Sequence, residues 1–159
     1  MVNGQNINNG NMNFLCISNY NNDLEWLKEY PNPHIIYDKT WNGGYLDNDN
    51  INYLEKINLK EKYPNYNIIN ASANGYNIND YMSYIIDNYN NLPDVVVFMK
   101  ANIIGRHISK EYLDKVINNK TFTPLEEWKM HDLSQAALQN GYAMITCEGG
   151  WMEFNDSWY

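Results

Sequence analysis

The sequence predicts an α/β protein built around a largely parallel sheet, and three observations lead there. Short, continuous apolar runs rich in β-branched residues recur along the chain, the pattern of strands buried on both faces. Segments with helical spacing of apolar residues stand between them, and that alternation is the signature of a parallel sheet flanked by helices. The length of 159 residues supports one core and not two.

Residues 1–13 form an Asn/Gly leader with little to bury, expected to be flexible, and 14–159 are read as a single domain. Residues 14–18 (FLCIS) are the first buried strand. A helix is expected directly after it: Asn22 can cap it, Glu25 follows three residues later as in a capping box, and Pro31 stops it. Residues 34–38 (HIIYD) read as the second strand. The stretch 40–65 is polar and irregular, with at most one short helix around 51–62, and 66–70 (YNIIN) is the third strand. Asn74-Gly75 marks a turn.

An amphipathic helix over 80–91 follows from Tyr81, Tyr84, Ile85, Asn88, Tyr89 and Leu92 at helical spacing. Residues 94–99 (DVVVFM), introduced by Pro93, form the strongest strand pattern in the chain. Ser109 caps a helix with Tyr112, Leu113, Val116 and Ile117 on one face. Thr123, Pro124 and Glu126 have capping-box spacing with Pro at the first helical position, so a short helix is expected to start there. A helix over 132–139, ended by Gly141, and a late strand over 142–147 complete the pattern. The strand order is not legible from these signals.

Composition narrows the function. The formal charge is −8, with a single arginine, so the clustered cations that neutralise phosphate backbones are missing and nucleic acid is not an expected partner. No apolar run approaches the roughly 18 residues of a membrane span. The first residues have neither the basic region nor the apolar core of a signal peptide, so a cytoplasmic location is expected. Cys16 and Cys147 sit in apolar segments and read as buried free thiols. Asparagine supplies 29 of the residues, spread along the chain rather than gathered in a tract, which fits an AT-rich gene better than a prion-like segment.

No P-loop and no GxGxxG is present, Ser72 and Ser134 lack a nucleophile-elbow setting, and the three histidines have no zinc-site spacing. Sheets of this class bind ligands beyond the carboxyl ends of their strands. That rule singles out 19–22, Asp38-Lys39, 70–77, 100–107 and Glu148 onward. Lys100, Arg106 and His107 gather positive groups directly after the best strand and could hold a diphosphate, Arg106 in bidentate fashion; a surface arginine paired with a carboxylate is the alternative. Asp47 and Asp49 match a D-x-D metal pattern, in a loop polar enough to produce it by chance. Asp38 ends a strand where an acidic group can meet a ribose, or merely cap a turn. The aromatic, acidic C-terminus carries Glu148, Glu153 and Asp156, any of which could serve as a general base; Trp151, Trp158 and Tyr159 could stack on a sugar or cover the core.

Residues 18–27 (SNYNNDLEWL) with 36–39 (IYDK) resemble the opening "Y-N-E-D-L-x-W-L … I-Y-N-K" of a family of uncharacterised fungal and viral proteins. The run from Tyr81 to Phe98, with 87–94 (DNYNNLPD), is similar to that family's "Y-L-x-x-I-x-x-N-Y-D-N-L-P-D-V-x-x-F". The resemblance covers about residues 14–130, and the family looks like the small glycosyltransferases of large DNA viruses. It implies a GT-A-like, Rossmann-like fold, a nucleotide diphosphate sugar donor, most plausibly a UDP-sugar, and a glycan acceptor in viral glycan synthesis. By the same resemblance Asn19, Tyr20 and Asp38 would line the nucleoside pocket and Asn74-Gly75 would border the donor.

The sequence departs from the pattern in two places. The family's Gly-Arg-Glu is here Gly75-Tyr76-Asn77, and where GT-A enzymes carry D-x-D this chain has Lys100-Ala101-Asn102. Asn102 can offer an oxygen, but Lys100 would repel a metal. Either Asp47 and Asp49 hold Mn2+ or Mg2+, or Lys100, Arg106 and His107 neutralise the diphosphate without a metal. Two other classes stay open: a non-catalytic nucleotide- or glycan-binding module of the same fold, and a structural virion protein, which would self-associate through an exposed apolar patch. The end at Trp158-Tyr159 leaves open a fragment of a longer chain.

Overall fold

The computed structural model describes residues 12–41, 56–72 and 74–127. Four strands, β1 (Phe14–Asn19), β2 (His34–Asp38), β3 (Ile68–Asn70) and β4 (Val96–Lys100), form one sheet in the order β3-β2-β1-β4, every pair parallel. Helices α1 (Leu59–Lys62), α2 (Tyr76–Asp87) and α3 (Lys110–Val116) flank it. The protein is therefore α/β with an all-parallel, Rossmann-like sheet, as the alternating pattern predicts.

The period-2 alternation of β1 divides the core in two. Leu15 and Ile17 face one way, with Ile36 and Met99 beside them, and are covered by Leu24, Leu27, Leu59, Leu113 and Ile117. Cys16 faces the other way with Ile35 and Tyr37, and Tyr84 of α2 closes over them, with Phe14, Phe98 and Tyr81 packed around. Phe14 and Tyr84 stack at 5.2 Å between ring centroids.

The chain reaches β2 and β3 on one side of β1, then crosses back through α2 to place β4 on the other side. The direction of strand addition thus reverses between β1 and β4, the position at which sheets of this class bind ligands beyond the carboxyl ends of their strands.

Three expectations are corrected. The segment after β1 is a 3-10 helix over Glu25–Glu29 instead of an α-helix, and its first turn has no side-chain cap. Asn22 does not cap it, because the helix begins at Glu25 with Leu24 at the cap position, two residues further on; the Asn22 side-chain NH2 donates to the Tyr20 carbonyl at 2.8 Å. The second helix starts at Tyr76, not Asp80, and ends at Asp87, with a separate 3-10 turn over Tyr89–Asn91. Its buried side is Asp80 and Tyr84, while Tyr89 and Leu92 lie exposed.

The helix expected to begin at Thr123 is not formed over 122–127. Thr123 Oγ1 donates to the Thr121 carbonyl, and Glu127 turns back to accept from the Ser109 amide and hydroxyl at 2.5 and 2.6 Å. Of the two capping-box residues, Thr123 thus has its hydroxyl engaged with Thr121 and Asn119, and Glu126 lies beside His107. The expected helix over 132–139 and strand over 142–147 lie outside the described residues, as does most of the 1–13 leader.

Ser109 behaves as the sequence predicts: its Oγ accepts from the Tyr112 amide at 3.2 Å and starts α3. Cys16 is a buried free thiol, and burial chiefly pushes its pKa up to about 12, with Asp80 adding to the effect, so it is an inert core group. Cys147 lies outside the described residues.

Candidate functional site

Polar residues concentrate where β1, β2 and β4 end. On the α2 side of the sheet, Lys39 forms an ion pair with Asp80, both side chains nearly sealed from solvent at 6% and 0% exposure. Lys39 Nζ also donates to Ser18 Oγ at 2.9 Å, and that hydroxyl donates to Asp80 Oδ2 at 2.5 Å. The Asn77 side-chain amide stands 3.0 Å from the same hydroxyl. Four residues from three elements thus meet at one point. Asp80 Oδ1 is buried with no hydrogen-bond partner among the described residues. A charge pair removed from water survives only when paired and hydrogen-bonded in this way.

The turn before α2 makes this meeting possible. Gly75 has φ +78° and Tyr76 φ +52°, both left-handed. A Cβ on Gly75 would stand 2.8 Å from Asn79 Cβ, so glycine is required there on two counts. The non-glycine left-handed conformation of Tyr76 is the rarer one, and it swings Asn77 and Asp80 toward Ser18.

On the opposite side of the sheet, Asn19 and Asp38 are register partners on β1 and β2. Asn19 Nδ2 donates to Asp38 Oδ1 at 3.0 Å, and the Thr40 hydroxyl donates to the same oxygen at 2.6 Å. Both Asn19 and Asp38 are buried, so here they clasp the two strand ends together. Tyr20, the next residue out, is half-buried.

Lys100 closes β4 in register with Ser18, which places it at the point where strand order reverses. It is half-buried, and burial holds its pKa below the usual lysine value, with the nearby Arg106 charge adding to the effect. Asn102 is half-buried and Arg106 exposed, both in the 101–108 loop, which Gly105 turns at φ +79°. The Ile104–Ile108 bridge and the Trp26 Nε1 bond to the Ala101 carbonyl at 3.0 Å pin that loop. His107 Nδ1 lies 3.7 Å from the Glu126 carboxylate. Asn74 and Gly75 are exposed on the turn leading into α2.

The strand ends therefore bring together Asn19 with Asp38, and Lys100 with Ser18, while the Arg106 charge is near enough to help lower the Lys100 pKa. Asp47, Asp49, Glu148, Glu153 and Asp156 lie outside the described residues. Among the described residues no group of three or more His, Cys, Asp or Glu is disposed to hold a metal ion, and Lys100 and Asn102 are a poor donor set for a divalent ion. A surface depression of about 560 Å³ lined by Lys56, Ile57, Asn58, Glu61 and Lys62 includes none of Lys100, Arg106 or His107.

Sequence reasoning missed Ser18 and Asp80. One signal was available: Asp80 precedes Tyr84 by four residues, so an acidic group shares the buried face of α2 and requires a buried partner. The sequence marks Asp38-Lys39 as a strand end, but nothing in it says that Lys39 turns inward.

A parallel α/β domain whose charged and amide side chains collect at the carboxyl ends of its strands is the class that fold and site define. The chain belongs to the family described as a protein of unknown function (DUF3431), whose profile matches residues 17–151. No curated protein and no solved structure matches it.

Proposed function

We propose that the protein is a small glycosyltransferase with a GT-A-like domain, taking a nucleotide diphosphate sugar, most plausibly a UDP-sugar, and transferring the sugar to a glycan hydroxyl. The observation that carries the reading is the reversal of strand order between β1 and β4, where Ser18 and Lys100 are register partners and Tyr20 and Asn102 follow the two strand ends. A ligand there meets a half-buried ammonium and a nearby guanidinium, the pair suited to a diphosphate.

Within this reading, Tyr20 and the clasped Asn19 and Asp38 form the nucleoside end, and the Asn74-Gly75 turn borders the donor. Lys100, Arg106 and His107 face the phosphates and stabilise the negative charge that develops as the glycosidic bond breaks. The donor set at the end of β4 does not fit a divalent ion, so no step is assigned to one; Asp47 and Asp49 are the alternative holders of Mn2+ or Mg2+. If the reaction inverts configuration, a carboxylate must take the acceptor proton, with Asp156 first and Glu148 or Glu153 behind it. Among the described residues no helix is long and apolar enough to cross a membrane. A cytoplasmic setting, that of the host cell for a viral chain, belongs to the same proposal.

The Lys100-Ala101-Asn102 sequence where a D-x-D would stand favours one second reading: a non-catalytic nucleotide- or glycan-binding module. Calorimetry of the full chain against a panel of nucleotide sugars, with and without Mn2+, separates the two. Binding with slow release of free nucleoside diphosphate supports the enzyme, and binding without turnover supports the module. The absence of any donor binding overturns both. Transfer that survives both Asp156→Asn and Glu148→Gln removes those two carboxylates from the mechanism.

A further inference from the structure

The turn that leads into α2 joins an asparagine to a glycine, and both Asn74 and Gly75 are exposed. That pair carries a reaction that needs no ligand and no enzyme. The backbone nitrogen that follows an asparagine can attack the side-chain carbonyl carbon. The attack is fastest when the next residue is glycine, since no Cβ shields the nitrogen.

Three observations make this pair more than a feature of composition. Asn74 belongs to neither helix nor strand. Gly75 is the cap residue of α2 and its carbonyl accepts from the Asn79 amide at 3.1 Å, but its own amide stands ahead of the helical ladder, where N–H groups have no intrahelical partner. The fold also cannot discard the glycine, because its φ is +78° and a Cβ there would stand 2.8 Å from Asn79 Cβ. Finally, the turn sets the place of Asn77 and Asp80, which meet Ser18 at the end of β1.

We propose that Asn74 is a site of spontaneous deamidation, and that its conversion to isoaspartate loosens α2 from the strand ends. Solvent takes the Gly75 amide proton, and the nitrogen forms a bond to Asn74 Cγ. The Cγ–Nδ2 bond breaks and the side-chain nitrogen leaves as ammonia, which closes a cyclic imide. Water then opens the ring at one of its two carbonyls, to aspartate or to isoaspartate. One water is consumed for each ammonia released, and nothing is oxidised or reduced.

In isoaspartate the main chain runs through Cβ and Cγ, so its path ahead of Gly75 gains one carbon–carbon bond of about 1.5 Å. The Ser18–Asp80 and Lys39–Ser18 hydrogen bonds, at 2.5 and 2.9 Å, have no slack of that size. Either product also adds a carboxylate to a chain whose formal charge is already −8. The reaction involves no nucleotide, so it stands whether or not the proposed function does.

Peptide mapping by mass spectrometry, after incubation of the full chain in warm neutral buffer, tests it. The leader pairs Asn3-Gly4 and Asn9-Gly10 serve as internal standards, and incubation runs until half of each has converted. Asn74 is expected to convert within about tenfold of their rate, mostly to isoaspartate, since an exposed turn opens locally at little cost. The aged parent then melts about 2 °C or more below the fresh protein. Asn74→Gln, which would have to close a larger ring, keeps its amide and its melting temperature through the same incubation, and Asn74→Ser repeats that control. An Asn74 that stays an amide while Asn3 and Asn9 convert overturns the site. Conversion that leaves the aged parent melting with the aged variants overturns its effect on α2.

Discussion

The two faces of the sheet are built on different terms. One face is an apolar layer in which Leu15, Ile17, Ile36 and Met99 meet leucines and isoleucines from the 3-10 helix, α1 and α3. The other has a single described helix over it, a smaller apolar cluster, and a sealed Lys39–Asp80 pair where that helix meets the strand ends. The first face is held by area removed from water, which tolerates small errors of position. The second depends on a few directed contacts that fail together if one partner is removed. The larger apolar area thus lies on one side, while on the other the Lys39–Asp80 pair braces the strand ends where Ser18 stands.

Breaking the polar face should have the largest effect. Asp80→Ala leaves the Lys39 ammonium sealed without its partner, and is expected to cost about 3 to 5 kcal/mol in denaturant unfolding. The double variant Lys39→Met/Asp80→Leu should recover most of that loss, because the desolvation penalty disappears with the charges. If the single variant costs no more than an ordinary surface change, the pair is not the brace described here.

On the apolar face, Leu113→Ala should cost about 3 kcal/mol, since Leu113 is fully buried and α3 cannot collapse freely onto the sheet. A loss well below that would show that this face is looser than its packing suggests. Removing the cap of the same helix with Ser109→Ala should cost about 1 kcal/mol, read in the same unfolding experiment.

The smallest effect sharpens the contrast through pH. Asp114 accepts from the Tyr30 hydroxyl at 2.6 Å and from Lys110, and these bonds hold its pKa below the usual aspartate value. A depressed carboxylate pKa stabilises the fold above the unfolded value of 3.8, and the contribution is lost as pH falls through the lower folded value. Asp114→Asn should therefore lower the melting temperature slightly at neutral pH and leave it almost unchanged at low pH, which flattens the acid limb.

Much of this fold is legible in the sequence because strands carry a strong local signal. The runs at 34–38 and 94–99 could not be stable in water as anything but buried elements, and β2 and β4 lie on them. Strand order is not legible, since it depends on which edge α2 crosses to, and no local pattern records that. The start of α2 is hidden in the sequence because Gly75 and Tyr76 adopt left-handed backbone that propensity rules assign to a turn. The helix at Thr123 does not form for a related reason: the Glu127 amide and carboxylate are taken by the His107 carbonyl and by Ser109, far away in sequence, and the Thr123 hydroxyl turns back to Thr121.

The candidate site divides the same way. Lys100 and Arg106 stand out because cations are scarce in this chain and these follow a clear strand. Ser18, Lys39 and Asp80 become a unit only when three separate elements are brought together, and residues 18, 39 and 80 share no motif.

The central claim is that the carboxyl ends of β1 and β4 hold a nucleoside diphosphate on Lys100 and Arg106. Calorimetric titration of UDP into the full chain and into Lys100→Ala and Arg106→Ala tests it most directly. The account predicts saturable binding to the parent, weakened about tenfold or more in each variant, which is the loss of one charged hydrogen bond in a partly buried site. Binding that is equal in all three proteins, or no binding to the parent, would contradict it.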